Sequence, residues 1–440
     1  MNQTMFDELL ELLRIPSISS GGGDPADLRR AAEWLRDKII RSGGTSEILT
    51  TAGNPLVVGD LAGPKGAPTI LIYGHYDVQS ADPLEEWDSP PFEPTVRGDK
   101  LYARGASDDK GNFYPVLYAA CELAQKGELP VNVMVIVEGE EEVGSDNIIA
   151  HLMNEPRHID AAIIFDSLMI DENTPTLTLG ARGMIMVAID VTVGERNLHS
   201  GMYGGSALNA VNVLNGILAK VMPGPDGRVR DELRVGIAEP SAQEIAAWEG
   251  LPDGHTLITE IGGRPIWEGS GRDYYMQNWA DTSMDVNGIA GGDAEQIRTI
   301  IPVTAKAKFS LRLAPGQIAE VVRQNLDEIL REDIPPHADV TISYQSMNDP
   351  ALFDADSQAI ELALEAFERA TGTRPALTRI GGSLPILAAL AARDIPTIVS
   401  GFALAEDSIH APNESFRLSS IELCEKTAHA LLHSLAKLDT

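Results

Sequence analysis

Four short segments of this 440-residue chain are each expected to end a β-strand in residues able to bind a metal ion or move a proton. They read Thr-Ile-Leu-Ile-Tyr-Gly-His75-Tyr-Asp77-Val, Ala-Ser-Asp108-Asp109-Lys-Gly, Val-Met-Val-Ile-Val-Glu-Gly-Glu140-Glu141-Glu142 and Ala-Ala-Ile-Ile-Phe-Asp166. A fifth candidate, His410, follows the run Pro396-Thr-Ile-Val-Ser-Gly401. Imidazole and carboxylate suit zinc or manganese. His75, Asp108, Glu142, Asp166 and His410 are therefore coherent as ligands of two divalent ions, a pairing that activates water for hydrolysis. Of two neighbouring glutamates, one can bind metal while the other, Glu141, takes a proton from the attacking water. Apolar runs of this length, bounded by Gly or charge, read as buried parallel strands. In open α/β sheets ligands bind beyond the carboxyl ends of such strands.

Each segment also has a plainer reading. A His with a carboxylate two residues on is the usual arrangement for an oriented ligand, but alone it describes a polar loop equally well. One residue of Asp108-Asp109 could simply cap the helical run that follows. Two adjacent acids beside Arg104 and Lys110 fit better with a carboxylate bridging two cations. An acidic run such as Glu140-Glu141-Glu142 is ordinarily a solvated loop, and Asp166 alone could cap a turn. Their convergence at strand ends favours the chemical reading. His199, in Asn197-Leu-His-Ser-Gly, is either a plain loop residue or part of a site. Arg312 interrupts the otherwise apolar Lys308-Phe-Ser-Leu-Arg-Leu and either points to solvent or clamps a carboxylate with two hydrogen bonds. Gly381-Gly382-Ser383 opens a helical run, whose N-terminus favours anions. Gly21-Gly-Gly23 lacks the spacing of a nucleotide-binding loop and reads as a flexible linker.

The net charge of −31 argues against nucleic acid and anionic membrane surfaces, since both need a basic patch. Cys121 and Cys424 are too few for a disulfide framework and read as buried, reduced thiols. The opening Met-Asn-Gln-Thr-Met-Phe-Asp-Glu-Leu-Leu is acidic where a signal peptide would be basic, and Phe6, Leu9, Leu10 and Leu13 recur at helical spacing. No apolar stretch approaches the roughly 20 residues that span a bilayer. The expectation is a cytoplasmic protein.

The first 180 residues alternate helix and strand, with helices expected at 4–14, 25–42 and 110–126 and strands at 69–73, 131–137 and 161–165. Asp24-Pro25 is a suitable cap and first-turn pair. Near Arg182 the pattern changes to the long alternating strand Gly183-Met-Ile-Met-Val-Ala-Ile-Asp-Val-Thr-Val. A helix at 206–220, an irregular stretch at 223–300, a strand at 304–313, a helix at 317–331 and a strand at 338–345 follow. This order resembles a β-α-β-β-α-β sandwich of ferredoxin-like type. From Asp354 the helix–strand alternation resumes. The expected organisation is an α/β domain, a mixed and mostly parallel sheet flanked by helices, from 1–180 and 351–440, with an inserted α+β domain at 181–350. A strand such as 184–193 or 304–313 is expected at the edge of the inserted domain, open to pairing with a twin.

With these residues in place, the chain resembles the di-zinc metallopeptidase family that contains carnosinases, aminoacylase, glutamate carboxypeptidase and succinyl-diaminopimelate desuccinylase. The resemblance runs from about residue 5 to the C-terminus. It is nearest to the cytosolic non-specific dipeptidase and carnosinase branch. The segments that carry it are Gly74-His-Tyr-Asp-Val, Arg104-Gly-Ala-Ser-Asp-Asp-Lys-Gly, Glu138-Gly-Glu-Glu-Glu-Val-Gly-Ser, Leu198-His-Ser-Gly, Phe309-Ser-Leu-Arg-Leu and Gly381-Gly-Ser-Leu-Pro. It implies one metal on His75, Asp108 and Asp166 and a second on Asp108, Glu142 and His410, with Asp108 bridging. Zinc is the first expectation, with manganese or cobalt as alternatives. It implies Glu141 as general base, Asp77 as the residue orienting His75, His199 as stabiliser of the oxyanion, and Arg312 with Gly382 and Ser383 as the holder of a substrate carboxylate. It implies a cis peptide between Asp108 and Asp109, and a homodimer through the inserted lid and dimerisation domain, so that His199 serves the neighbouring site.

The expected activity is hydrolysis of dipeptides or related amides beside a free carboxylate. The desuccinylase and aminoacylase branches tend to carry Glu where this chain has Asp166, which is the dipeptidase-like choice. An N-acyl-amino-acid deacylase or N-carbamoyl-amide hydrolase on the same scaffold is the alternative. A non-catalytic binding protein is a remoter one, against which stands the complete set of ligands and base.

Overall fold

The computed structural model describes residues 1–266 and 270–439, with the side chains of 270–272 left aside. The chain divides into two compact units, one of Met1–Leu179, Phe353–Thr378 and Pro385–Thr440, the other of Gly180–Leu352 and Arg379–Leu384. The short segment Arg379–Leu384, read from sequence as part of the first domain, clusters with the second unit.

The sheet of the first unit is mixed. Its neighbours run Thr45–Leu49, Leu56–Leu61, Asn132–Glu138, Thr69–His75, Ala161–Phe165, Thr397–Ser400 and Thr176–Ala181. The central four strands are parallel, and the flanking pairs are antiparallel. Thr69–His75 and Asn132–Glu138 are buried at every position after the first, and Ala161–Phe165 and Thr397–Ser400 at every position. Helices cover a parallel sheet on both faces, so its strands show no apolar–polar alternation. The helices expected from sequence are Gln3–Leu13, Pro25–Arg41 and Lys110–Lys126. The second starts where the Asp24 carboxylate accepts the Ala26 N–H at 2.9 Å, with Pro25 in its first turn.

His75 closes its strand, Glu138 closes the next and leads into Glu140–Glu142, and Asp166 follows Phe165. Asp108 departs from the expectation that each candidate ends a strand. It lies in an irregular loop after Lys100–Tyr102 and before the helix Lys110–Lys126. The Asp108–Asp109 peptide is cis, as the resemblance implies.

The second unit holds a four-stranded antiparallel sheet ordered Ser283–Gly291, Thr304–Leu313, Gly183–Thr192 and Asp339–Asn348. With helices Ala210–Leu218 and Ala319–Arg331 this makes the β-α-β-β-α-β order. Its core joins Ile185, Val187 and Ile189 to Leu214, Phe309, Leu311, Val322 and Leu326. Two expectations are corrected. The region 223–300 is not irregular throughout: it contains Ala242–Trp248, Gly254–Glu260, Ser270–Trp279 and the strand Ser283–Gly291. That strand escapes a sequence search because Met284 is its one buried residue, which leaves no alternating pattern. The strands at 184–193 and 304–313 are interior, paired on both sides, and the edges are Ser283–Gly291 and Asp339–Asn348. Among the described residues no helix is long and apolar enough to cross a membrane.

Candidate metal centre

Strand geometry delivers two of the candidate groups directly. His75 is fully buried, and its Nδ1 lies 3.0 Å from the Asp77 carbonyl oxygen, so Nδ1 donates there and the ring is oriented with Nε2 toward Asp108. That Nε2 is 3.1 Å from Asp108 Oδ1. The other oxygen, Asp108 Oδ2, is 2.8 Å from His410 Nε2, which in turn is 3.1 Å from Glu142 Oε2. Two groups of candidate ligands result, His75–Asp108–Asp166 and Asp108–Glu142–His410, each with its ligand atoms within 4.8 Å of one another. They share Asp108, one oxygen facing each group. Among the described residues these are the two clusters with the makeup of a metal site.

The residues around them are fixed by hydrogen bonds that sequence reading did not anticipate. The buried Asp77 carboxylate reaches His75 Nδ1 only at 3.5 Å. Its stronger contacts are to Ser19 Oγ at 2.6 Å and to the N–H groups of Glu141 and Glu142 at 3.3 and 3.2 Å. Asp77 therefore braces the glutamate turn as well as the histidine. Gln79 Nε2 donates to Glu142 Oε2 at 2.8 Å. Glu140, first of the acidic run, turns away and accepts both its bonds from Asn147 Nδ2. The capping explanation for the aspartate pair fails: Asp109 stands at the helix N-cap without a capping bond, and its Oδ2 accepts the His75 N–H at 3.2 Å.

The electrostatics call for cations. Asp77, Asp108, Asp109, Asp166, Glu141 and Glu142 surround two imidazoles, while the nearby bases face elsewhere. Lys110 Nζ donates to the carbonyls of Leu12 and Ile15, and Arg104 is paired with Glu414. Desolvation pushes Asp166 well above the carboxylate range, against the pull of His75 and with Asp108 and Glu141 adding to it. Burial raises Glu141 to about 7, opposed by His75 and reinforced by Glu142, Asp108 and Asp77. Burial also works to raise Asp108, but hydrogen bonds to His410 and His75 outweigh it and hold this carboxyl well below the usual range. The same bonds, to Asp108 and Glu142, lift His410 to about 10. Glu142 Oε1 and Asp109 Oδ1 are buried without a hydrogen-bond partner. Orphaned carboxylate oxygens in an acidic pocket suit a cation, which supplies both the missing partner and the missing charge. The donor set of nitrogen and oxygen fits two divalent ions.

A cavity of about 340 Å³ opens beside Asp108 and Asp166, with Leu168, Leu404 and Ile409 as apolar wall and Ser107 and Ser408 as polar lining. The remaining candidates belong to the second unit. His199 lies on the two-residue strand Leu198–His199 and its Nδ1 accepts the Gly201 N–H at 3.1 Å. Arg312 is on Thr304–Leu313, and its Nη1 donates to Ser383 Oγ at 3.3 Å. Arg182, noted from sequence only as a change of pattern, joins this group: its Nε donates to the Gly381 carbonyl at 2.9 Å. Burial and the charge of Arg312 lower Arg182 to about 10. Two guanidiniums therefore reach the turn 381–383.

Comparison with known proteins agrees with this chemistry. The sequence profile described as peptidase family M20/M25/M40 matches residues 71–434. A cysteinylglycine-S-conjugate dipeptidase from Corynebacterium striatum is 28% identical over 440 residues, 96% of this chain and 93% of that protein. A Cys-Gly metallodipeptidase from Saccharomyces cerevisiae is 25% identical over 456 residues, covering 97% and 94%. Among solved structures, an M20-family metallo-carboxypeptidase from Sulfolobus solfataricus superposes with a TM-score of 0.85 at 25% identity, with 100% of both chains covered. Human carnosine dipeptidase 1 shares the fold with a TM-score of 0.76 at 23% identity, over 99% of this chain and 96% of that one.

Proposed function

Because the chain belongs to peptidase family M20/M25/M40, we propose that it is a metal-dependent dipeptidase, hydrolysing an amide bond next to a free carboxylate. One observation carries the reading: the two oxygens of Asp108 face two separate ligand groups, His75 with Asp166 and His410 with Glu142. In this reading His75, Asp108 and Asp166 hold one divalent ion and Asp108, Glu142 and His410 the other. When bound, such a pair supplies Lewis acidity that polarises a carbonyl and lowers the pKa of water. Zinc is the proposed metal, with manganese or cobalt able to replace it, since nitrogen and oxygen donors without sulfur suit all three.

Glu141 belongs to neither ligand group. It is assigned as the general base that accepts a proton from the attacking water and returns it to the leaving amine. Asp77, held to the N–H groups of Glu141 and Glu142 and to His75, keeps base and ligands in register. His199 is assigned to the developing oxyanion. Arg312, Gly382 and Ser383 are assigned to the substrate carboxylate, supported by the Arg312–Ser383 hydrogen bond and by Arg182, which donates to the Gly381 carbonyl of the same turn. The apolar wall of the cavity beside Asp166 suits a neutral side chain.

We further propose a homodimer through the second unit, with His199 completing the partner's site. The unpaired edges Ser283–Gly291 and Asp339–Asn348 support such an association. A cytoplasmic location agrees with the buried free thiols Cys121 and Cys424. The deciding experiment is a chromatographic screen of dipeptides, longer peptides and N-acyl-amino acids, with zinc and manganese supplied separately. Dipeptides should be cleaved fastest. Preference for acyl- or carbamoyl-amino acids would move the protein to the deacylase reading.

A further inference from the structure

We propose that Glu414 is a positioning residue whose carboxylate clamps the loop carrying Asp108 and so aims that shared ligand at both ions, an inference that rests on the metal-site reading above. The loop Arg104–Asp108 has no strand or helix hydrogen bonds of its own, although Arg104, Gly105, Ala106 and Ser107 are all buried. Buried N–H groups need partners. Glu414, itself fully buried, supplies them for Gly105, Ser107 and Asp108, while the N–H groups of Arg104 and Ala106 reach the carbonyls of Pro91 and Ala103.

Its Oε2 accepts from Arg104 Nη1 at 2.8 Å and from the Gly105 N–H at 2.9 Å. Its Oε1 accepts from the Ser107 N–H at 2.9 Å, Ser107 Oγ at 3.2 Å and the Asp108 N–H at 3.1 Å. The last contact fixes the main chain of the bridging aspartate itself. From the other side Asn112 Nδ2 holds the Ser107 carbonyl at 2.7 Å. Arg104 is secured in turn by the Ser80 carbonyl at 3.0 Å.

The same carboxylate links two ligand-bearing loops. Glu414 ends the turn that carries His410, in which His410 and Asn413 both adopt positive φ, 60° and 61°. Asn413 anchors that turn through Nδ2 to the Glu86 carbonyl at 2.8 Å and through Oδ1 to the Asp88 N–H at 2.9 Å. Behind Glu414, Ser415–Arg417 pairs with Lys100–Tyr102, the strand that leads into the Asp108 loop. Five donors converge on two oxygens, a demand that an ionised carboxylate meets and an amide does not. Glutamine would turn an NH₂ group toward the N–H of Gly105, or toward those of Ser107 and Asp108. Hydrogen-bonding partners behind metal ligands typically govern about 10–100-fold in affinity.

The test measures ion stoichiometry by elemental analysis and affinity by chelator competition, using zinc and manganese on chelator-stripped full-length protein. Glu244→Gln serves as control, because Glu244 and Arg379 form a buried carboxylate–guanidinium pair of the same type in the second unit. Both variants should lower the melting temperature. Only Glu414→Gln should weaken metal binding, by about 10–100-fold and for both ions together, since Asp108 faces both groups. If Glu414→Gln does not fold, Glu414→Asp keeps the charge but is too short to hold both sets of donors, and the same joint weakening is expected. Parent-like affinity in either folded variant, or an equal loss in Glu244→Gln, would overturn the positioning role. A parent protein that binds fewer than two ions would overturn the metal-site reading, and this proposal with it.

Discussion

Replacing Glu141 and Glu142 one at a time should separate rate from metal. Glu142 Oε2 lies 3.1 Å from His410 Nε2 within the second ligand group, and its Oε1 is buried and unpartnered. Glu141 stands outside both groups, and burial pushes its carboxyl up to about 7. Cations nearby would draw that value down and keep Glu141 ionised at neutral pH, ready to accept a proton. Glu141→Gln preserves shape and the N–H bond to Asp77 but removes the proton acceptor. General-base catalysis contributes about 10²–10⁴-fold, or roughly 3–5 kcal/mol of barrier at about 1.4 kcal/mol per decade. The expected result is a kcat reduced by that factor with metal content near two ions per chain. Glu142→Gln removes a ligand instead, so metal content should fall toward one ion and excess metal should restore part of the rate. Dipeptide turnover with elemental analysis of the same samples checks both. The reasoning fails if Glu141→Gln loses an ion, or if Glu142→Gln keeps both.

Chelation should abolish activity, and added zinc, manganese or cobalt should restore it; full turnover by rigorously stripped protein would refute the two-ion mechanism. The melting temperature of stripped protein should fall between about pH 5 and 8. Glu138 rises from 4.5 to about 8, chiefly through burial, so the stability it favours is complete below its unfolded pKa and is lost as pH climbs through about 8. His410, lifted to about 10 by hydrogen bonds to Asp108 and Glu142, acts in the same direction, its contribution fading above about 6.5. A melting temperature that climbs over this range would contradict the site's charge balance. Mixing His199→Ala with Glu141→Gln under conditions that exchange subunits should regenerate activity, up to about half the parental value per mixed dimer. Confirmed exchange without activity would remove His199 from the partner's site.

Much of the centre is legible in the sequence because its strands are buried on both faces. Ile70–Tyr73, Val133–Val137 and Ala161–Phe165 are uninterrupted apolar runs, and polar residues at their ends stand out by contrast. His75, Glu142 and Asp166 are found that way. Asp108 and His410 join them by residue type although neither closes a strand, and the resemblance of their motifs is what assigns Asp108 the shared position. The strand Ser283–Gly291 is hidden for the opposite reason: with one buried residue it has no apolar period to read. Gln79 and Glu414 carry no signal of their own, since a polar residue in a loop is ordinarily solvated, and neither does Asn112, a polar residue in the first turn of a helix. Only the tertiary structure sets the Glu414 carboxylate against the Asp108 N–H, 306 residues away along the chain. It alone divides the oxygens of Asp108 between His75 and His410. Periodicity and residue type record which face of an element is buried. Which two buried groups meet depends on how distant segments pack, and that is decided in three dimensions.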